Sequence, residues 1–202
     1  MNSPKEYESY SYCQVTFYKQ NSATTCGLAC LTAVLSYWGM EISQDKLFQD
    51  FPSSSSEGYS VEELMNIAKE KGLEAFVLQM PARSIRIQIQ KGRPVICGLK
   101  KTVMDDFFYH FPFEGGFIGE IIRGLAPEYN HYVIVIGFKD DRLLIMDPAI
   151  GLVSLSEKRF QRMHGKCNDL VLLAAKKQTD KQSHPKGYLR EITSDKLRKS
   201  QG

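Results

Sequence analysis

Two strand-forming runs flank the polar triplet Lys139-Asp140-Asp141: Tyr132-Val133-Ile134-Val135-Ile136-Gly137-Phe138 before it and Arg142-Leu143-Leu144-Ile145-Met146 after it. β-Branched and aromatic residues favour extended backbone, and a short polar break between two such runs favours a hairpin. This hairpin commits the second half of the chain to antiparallel pairing. His131 opens the first strand and Asp147-Pro148 ends the second. With the turn centred near Lys139 or Asp140, Asp147 falls opposite His131 or a diagonal neighbour, with Cβ atoms about 5–8 Å apart. A carboxylate there would hold an imidazole in one orientation and one tautomer. By itself, a lone histidine at a strand start is more often a satisfied structural residue.

The first half of the chain has helical periodicity. Leu28, Leu31, Leu35 and Trp38 recur at three- and four-residue spacings, so one face from Gly27 to Trp38 is apolar, and Gly39 supplies a stop. Cys26 therefore sits at the helix start, with Thr24 or Thr25 as the cap. Unpaired N–H groups and the positive dipole end favour a thiolate there, lowering the thiol pKa from its free value of about 8.5. Cys30, one turn further in, reads as a small buried hydrophobe. Gln20 stands six positions ahead of Cys26, where its amide could donate to a developing oxyanion beside the thiol. Cys26, His131 and Asp147 together supply a nucleophile, a base and an orienter.

The remaining segments read as support. Ser43 to Phe51 is a short helix; Ser60 to Lys71 is another, with Glu63 at capping-box spacing from Ser60. Pro52 to Gly58 is a flexible loop between them, Leu73 to Gln79 a strand, and Pro94 to Leu99 a buried strand. Ile85, Ile87 and Ile89 alternate as a strand would, although a helix satisfies the same positions. After Asp147 the chain reads as a strand at Gly151 to Val153, a helix from Ser156 to Met163 and a closing strand from Leu170 to Leu173.

Gln20, the run Cys26-Gly27-Leu28-Ala29-Cys30-Leu31, the run His131 to Gly137 and the run Met146-Asp147-Pro148-Ala149-Ile150-Gly151 resemble the bacteriocin-processing double-glycine leader peptidase family. Members are papain-like domains best known from peptidase-containing ABC transporters, and the resemblance covers about Tyr18 to Ala175. It implies an α+β fold with a helical N-terminal lobe, an antiparallel β-sheet C-terminal lobe and an active-site cleft between them. It also implies roles: Cys26 as nucleophile, His131 as general base and acid, Asp147 as the residue orienting the imidazole, and Gln20 as the oxyanion donor. The implied bond is the one following a Gly-Gly pair at the end of a leader peptide. Spacing alone carries no such specificity.

Two departures from the family pattern stand out. Thr25 precedes the nucleophile where an acidic residue is common, and 101–130 reads as an insertion. That segment is rich in aromatic residues (Phe107, Phe108, Tyr109, Phe111, Phe113, Phe117) and glycine, and is acidic through Asp105, Asp106, Glu114, Glu120 and Glu128. Long loops of this kind serve as binding loops over a site, or form small satellite cores or partner-docking patches, and the sequence leaves these open. In the first case the acidic residues would suit a basic leader.

The expected organisation is an N-terminal extension at 1–17, a peptidase domain at 18–175 and a basic, flexible tail at 176–202. The tail holds eight Lys/Arg against three Asp/Glu, within a chain of 202 residues with net charge +3. It could touch an acidic partner or the inner face of a membrane, though a solvated tail is the simpler reading. No apolar run approaches the ~18 residues of a membrane span, and no signal-peptide or GxxxxGK[ST] pattern occurs. Five cysteines, an odd number, fit a reducing compartment better than a disulfide framework. Cys13, Cys97 and Cys167 read as structural or incidental. A zinc site from Cys26, Cys30, His164 and Cys167 is a weaker alternative, and no metal or cofactor is expected. Nucleic-acid binding has no aromatic platform or reading motif to support it.

The expected function is thus a cytoplasmic cysteine endopeptidase acting on a peptide or protein precursor, with any ABC transporter supplied by another chain. A papain-like transferase using the same thioester, or a non-catalytic leader-docking domain, are the alternatives.

Overall fold

The protein, described here from a computed structural model, is defined over residues 9–102, 105, 126–177 and 190–193. Most of the aromatic segment, at 103–104 and 106–125, and the tail at 178–189 and 194–202 lie outside the described residues. So does the expectation of a binding loop or satellite core.

The elements follow as β1 (Ser9–Tyr12), α1 (Cys26–Tyr37), α2 (Gln44–Asp50), α3 (Val61–Glu70), β2 (Glu74–Gln79), α4 (Ala82–Gln90), β3 (Val95–Thr102), β4 (Glu128–Lys139), β5 (Arg142–Asp147), β6 (Gly151–Ser156), α5 (Glu157–Gly165), β7 (Leu170–Ala175) and β8 (Arg190–Thr193). Among the described residues every strand pairing is antiparallel, in the order β2-β7-β3-β4-β1-β8, with β5 and β6 leading off β4.

Strand β4 organises the sheet because its two edges are used differently. On one side β3 pairs with it from Glu128 to Val135, and β1 takes over at Gly137 and Phe138; on the other side runs β5. The β4–β5 turn is Asp140-Asp141, closed by the Lys139–Arg142 pair, and Asp140 adopts a positive φ of 47°. Four residues back, the register slips: Gly137 faces Leu144 but Val135 faces Ile145, so Ile136 is bulged. The bulge is anchored from outside, since Cys13 N–H donates to the Ile136 carbonyl at 2.7 Å.

The N-terminal segment read as an extension therefore enters the sheet. Tyr10, Cys13 and Val15 are buried, and β1 pairs with both β4 and β8. Strand β8 likewise brings 190–193 of the expected tail into the sheet through backbone pairing.

Helix α1 is surrounded on all sides. Every residue from Cys26 to Leu35 is buried, against α2, α3 and β4. The expected single apolar face is in fact a fully enclosed helix. Helix α3 carries the capping box foreseen at Ser60 and Glu63. Glu63 Oε1 also accepts from Ser54 N–H at 2.9 Å, and together these backbone donors hold its carboxyl down at about 2. The serine loop is thereby tied to a helix rather than free, and Ser53 Oγ closes it onto the Gly58 carbonyl at 2.8 Å. Gly58 has φ +106° and lies so close to Thr24 that a Cβ would stand 2.4 Å from the Thr24 carbonyl oxygen. The loop thus buttresses the approach to Cys26.

The Ile85–Ile89 segment is helical, as α4. Ile85 and Ile89 are buried one turn apart while Ile87 is 48% exposed, a pattern only the 3.6-residue period produces.

Candidate active site

Cys26 occupies the first position of α1, following Thr25, the N-cap residue. Thr25 does not cap the helix with its side chain. Its Oγ1 instead donates to the Ser22 carbonyl at 3.1 Å and accepts from Ser22 N–H at 3.0 Å. The hydroxyl shapes the preceding turn and leaves the first-turn N–H groups without a side-chain cap. Burial raises the thiol pKa of Cys26, but the hydrogen bond and charge of His131, with backbone N–H groups of Tyr132 and Gly27, outweigh it and bring the value below that of an ordinary cysteine. Cys30 makes the contrast: its thiol points to the Tyr132 carbonyl at 3.5 Å, and burial pushes its pKa well up.

His131 lies on β4 and is 5% exposed. Its Nε2 stands 2.8 Å from Asp147 Oδ1, leaving Nδ1 to face the Cys26 thiol. Burial alone would lower the imidazole pKa; hydrogen bonds to Asp147 and Cys26 prevail and raise it to about 9. At neutral pH these opposite displacements favour a thiolate beside an imidazolium.

The bulge at Ile136 makes this pairing possible. The register beyond it, with Ile134 opposite Met146, carries Asp147 to the level of Val133, two residues and therefore one diagonal step from His131. Without the slip Asp147 would face Ile134, whose side-chain parity is that of Tyr132, and the carboxylate would point away from the imidazole.

Asp147 is fully buried and engages both oxygens. Oδ1 accepts from His131 and from Ala149 N–H at 2.9 Å, while Oδ2 is 2.9 Å from Lys101 Nζ. Burial would raise its pKa, but the hydrogen bond and charge of His131 and the charge of Lys101 hold it well below the usual carboxylate range. Sequence reasoning sets Lys101 in the insertion and gives it no role, whereas β3 continues through it to Thr102, and the β3–β4 register sets it opposite Tyr129, two places beyond the Leu99–His131 pair. A lysine at the end of an apolar strand was the available signal.

Gln20 is fixed by its backbone, whose N–H donates to the Pro148 carbonyl at 3.0 Å, immediately after Asp147. The loop from Gln20 to Thr25 is further pinned by Asn21 Nδ2 on Asp45 Oδ1 at 2.9 Å. Among the described residues, the buried Gln20 Oε1 has no hydrogen-bond partner. Tyr132, also unforeseen, packs its ring on Gly27, where an added Cβ would meet Tyr132 Cδ2 at 3.0 Å and Leu64 Cδ1 at 2.8 Å.

Other candidates are engaged elsewhere. Both ring nitrogens of His164 face backbone carbonyls, Gly98 O at 2.8 Å and Met80 O at 3.0 Å, so it is not oriented as a ligand with Cys167. Two of the acidic residues assigned to the insertion are neutralised internally. Asp105 pairs with Arg162 at 3.0 Å and accepts from Thr102, and Glu128 pairs with Lys166 and Lys100. No described helix is long and apolar enough to cross a membrane.

The model of the Peptidase_C39 like family matches residues 12–167. The fold is similar to a double glycine motif protease from an AMS/PCAT transporter, solved in complex with the leader peptide, at 19% identity and TM-score 0.58 over 83% of this chain and 99% of that one. It is similar to the peptidase domain of Streptococcus ComA, a bifunctional ABC transporter of a quorum-sensing pathway, at 19% identity and TM-score 0.57 over 82% and 99%. A C39-like peptidase from Bacillus anthracis aligns at 16% identity and TM-score 0.62 over 85% and 100%. No curated protein matches the chain. By family model and by its papain-like α+β architecture, the chain belongs to the Peptidase_C39 like family of cysteine peptidases.

Proposed function

We propose that the chain is a cysteine endopeptidase that cuts precursor peptides after a double-glycine leader, with Cys26, His131, Asp147 and Gln20 as its machinery. The observation that carries this reading is the buried line from the Cys26 thiol through His131 to Asp147, closed by the 2.8 Å Nε2–Oδ1 bond. The Cys26 thiolate attacks the scissile carbonyl, and negative charge develops on its oxygen. The Gln20 amide and the Cys26 backbone N–H stabilise that charge. The His131 imidazolium gives its proton to the departing amine, and neutral His131 then takes a proton from water as water adds to the thioester, restoring thiol and releasing acid. Asp147 keeps the imidazole oriented and stabilises its charged form throughout.

The leader preference is supported by the neighbouring double glycine motif protease solved with its leader peptide. We assign export of the product to an ABC transporter, so that the peptidase acts at the cytoplasmic face of a membrane. Incubating the protein with precursor peptides whose leaders end in Gly-Gly, and weighing the products by mass spectrometry, tests the reading. Cleavage after Gly-Gly that is lost in Cys26→Ala supports it. Absence of cleavage, or cleavage surviving in the variant, refutes it. Adding an amine acceptor separates hydrolysis from transfer, since only a transferase forms the new amide.

A further inference from the structure

We propose that Lys101 is a positioning residue of the active site, acting through Asp147 to complete a charge-balanced row of four groups. The row runs Cys26, His131, Asp147, Lys101, and in the thiolate–imidazolium state its charges alternate negative, positive, negative, positive. The inference rests on the Cys26–His131 reading above.

Two observations carry it. The Lys101 side chain is 1% exposed and lies 2.9 Å from an Asp147 carboxylate that is itself fully buried. Removing both ions from water carries a desolvation penalty that an apolar pair of similar size would avoid. Second, the carboxylate divides its oxygens, Oδ2 to Lys101 and Oδ1 to His131. Lysine thereby fixes the carboxylate's rotation and sets which oxygen meets the imidazole.

The electrostatic consequence has a definite sign. With Lys101 neutral or absent, the buried row carries a net charge of −1 when Cys26 is a thiolate, and that excess opposes ionisation of the sulfur. It also holds the proton on His131 more tightly, because the Lys101 charge works against the imidazolium. Lys101 therefore moves the pH window of the reactive ion pair downward. Among the described residues, the groups facing the row include Asp147 from β5, His131 and Tyr129 from β4, Cys26 and Cys30 from α1 and Cys97 from β3, with Tyr132 beside Cys26 and Glu62 of α3 and Cys167 acting on Tyr132.

The test measures the rate of Cys26 alkylation by iodoacetamide against pH, read by intact mass, alongside peptide hydrolysis over the same range. In Lys101→Met, each rate normalised to its own plateau falls about threefold to tenfold on the acid limb, and the deficit closes as pH rises. Lys101→Arg, which keeps the charge, stays on the wild-type curve. A uniform loss in Lys101→Met at every pH, with unmoved limbs, would mean a merely structural lysine and overturn the proposal. Wild-type Cys26 alkylating like a free thiol would instead overturn the peptidase reading, so the two failures are distinguishable. Should Lys101→Met not fold, the ¹⁵N resonance of Lys101 Nζ in the wild type must step at the pH of the alkylation midpoint. A flat resonance there refutes the coupling.

Discussion

His131 Nε2 meets Asp147 Oδ1 at 2.8 Å although the two residues are not cross-strand partners but diagonal neighbours, brought to one face by a single bulged residue. The contact depends on the register slip at Ile136 as much as on the two side chains.

Asp147→Asn keeps the shape but removes the charge that supports the imidazolium. We expect kcat/KM to fall about 10²–10⁴-fold, and the alkaline limb of activity to retreat toward the ordinary histidine range. Lys101 would be left buried without its anion, so unfolding in urea should also show a loss of about 3–5 kcal/mol.

Activity should follow a bell in pH. The acid limb is the loss of the Cys26 thiolate and lies below the usual cysteine range, because the Cys26 pKa is lowered. The alkaline limb is loss of the His131 proton needed by the leaving amine, near pH 9. Steady-state hydrolysis from pH 4 to about 10 checks both; an alkaline limb at about 6.5, the ordinary histidine value, would contradict the Asp147 effect.

Gln20→Ala should lower kcat by about 10²–10³-fold with little change in KM. Cys26 alkylation, which passes through no tetrahedral oxyanion, should proceed at the wild-type rate. Equal losses in both assays would point to a displaced Cys26.

Gly137→Ala tests the coupling of fold to site. A Cβ there would come within 2.6 Å of Tyr12 Cβ and 2.8 Å of the Ser11 carbonyl oxygen, which belongs to backbone and cannot swing away. Loss of about 1–3 kcal/mol in stability is expected as β1 is forced off β4, and kcat/KM should fall with it, because the same shift loosens the Cys13 anchor of the Ile136 bulge that aligns Asp147 with His131.

The parts of this molecule that were legible in the sequence are those decided locally. The β4–β5 hairpin, the capping box at Ser60 and Glu63 and the start of α1 at Cys26 each depend on neighbouring residues. The Asp147 position was bracketed because opposite and diagonal placements both follow from turn geometry. What escaped was non-local. The bulge at Ile136 is sustained by Cys13 from another strand, and Lys101 is interpretable only once β5 lies within reach. Helix α4 was ambiguous because Ile85 and Ile89 satisfy either period, and only packing exposes Ile87. Thr25 was legible as the residue at the helix start but not in its bonding, since its hydroxyl chose Ser22 over the helix.

The enclosure of α1 from Cys26 to Leu35 has a kinetic side. The attacking sulfur sits on a rod gripped by the core, so the orientational entropy of the encounter is surrendered during folding instead of at each turnover. Rate and rigidity then share one structural source. Substitutions deep in that rod, far from any substrate, would erode turnover through a loosened nucleophile while the fold still held.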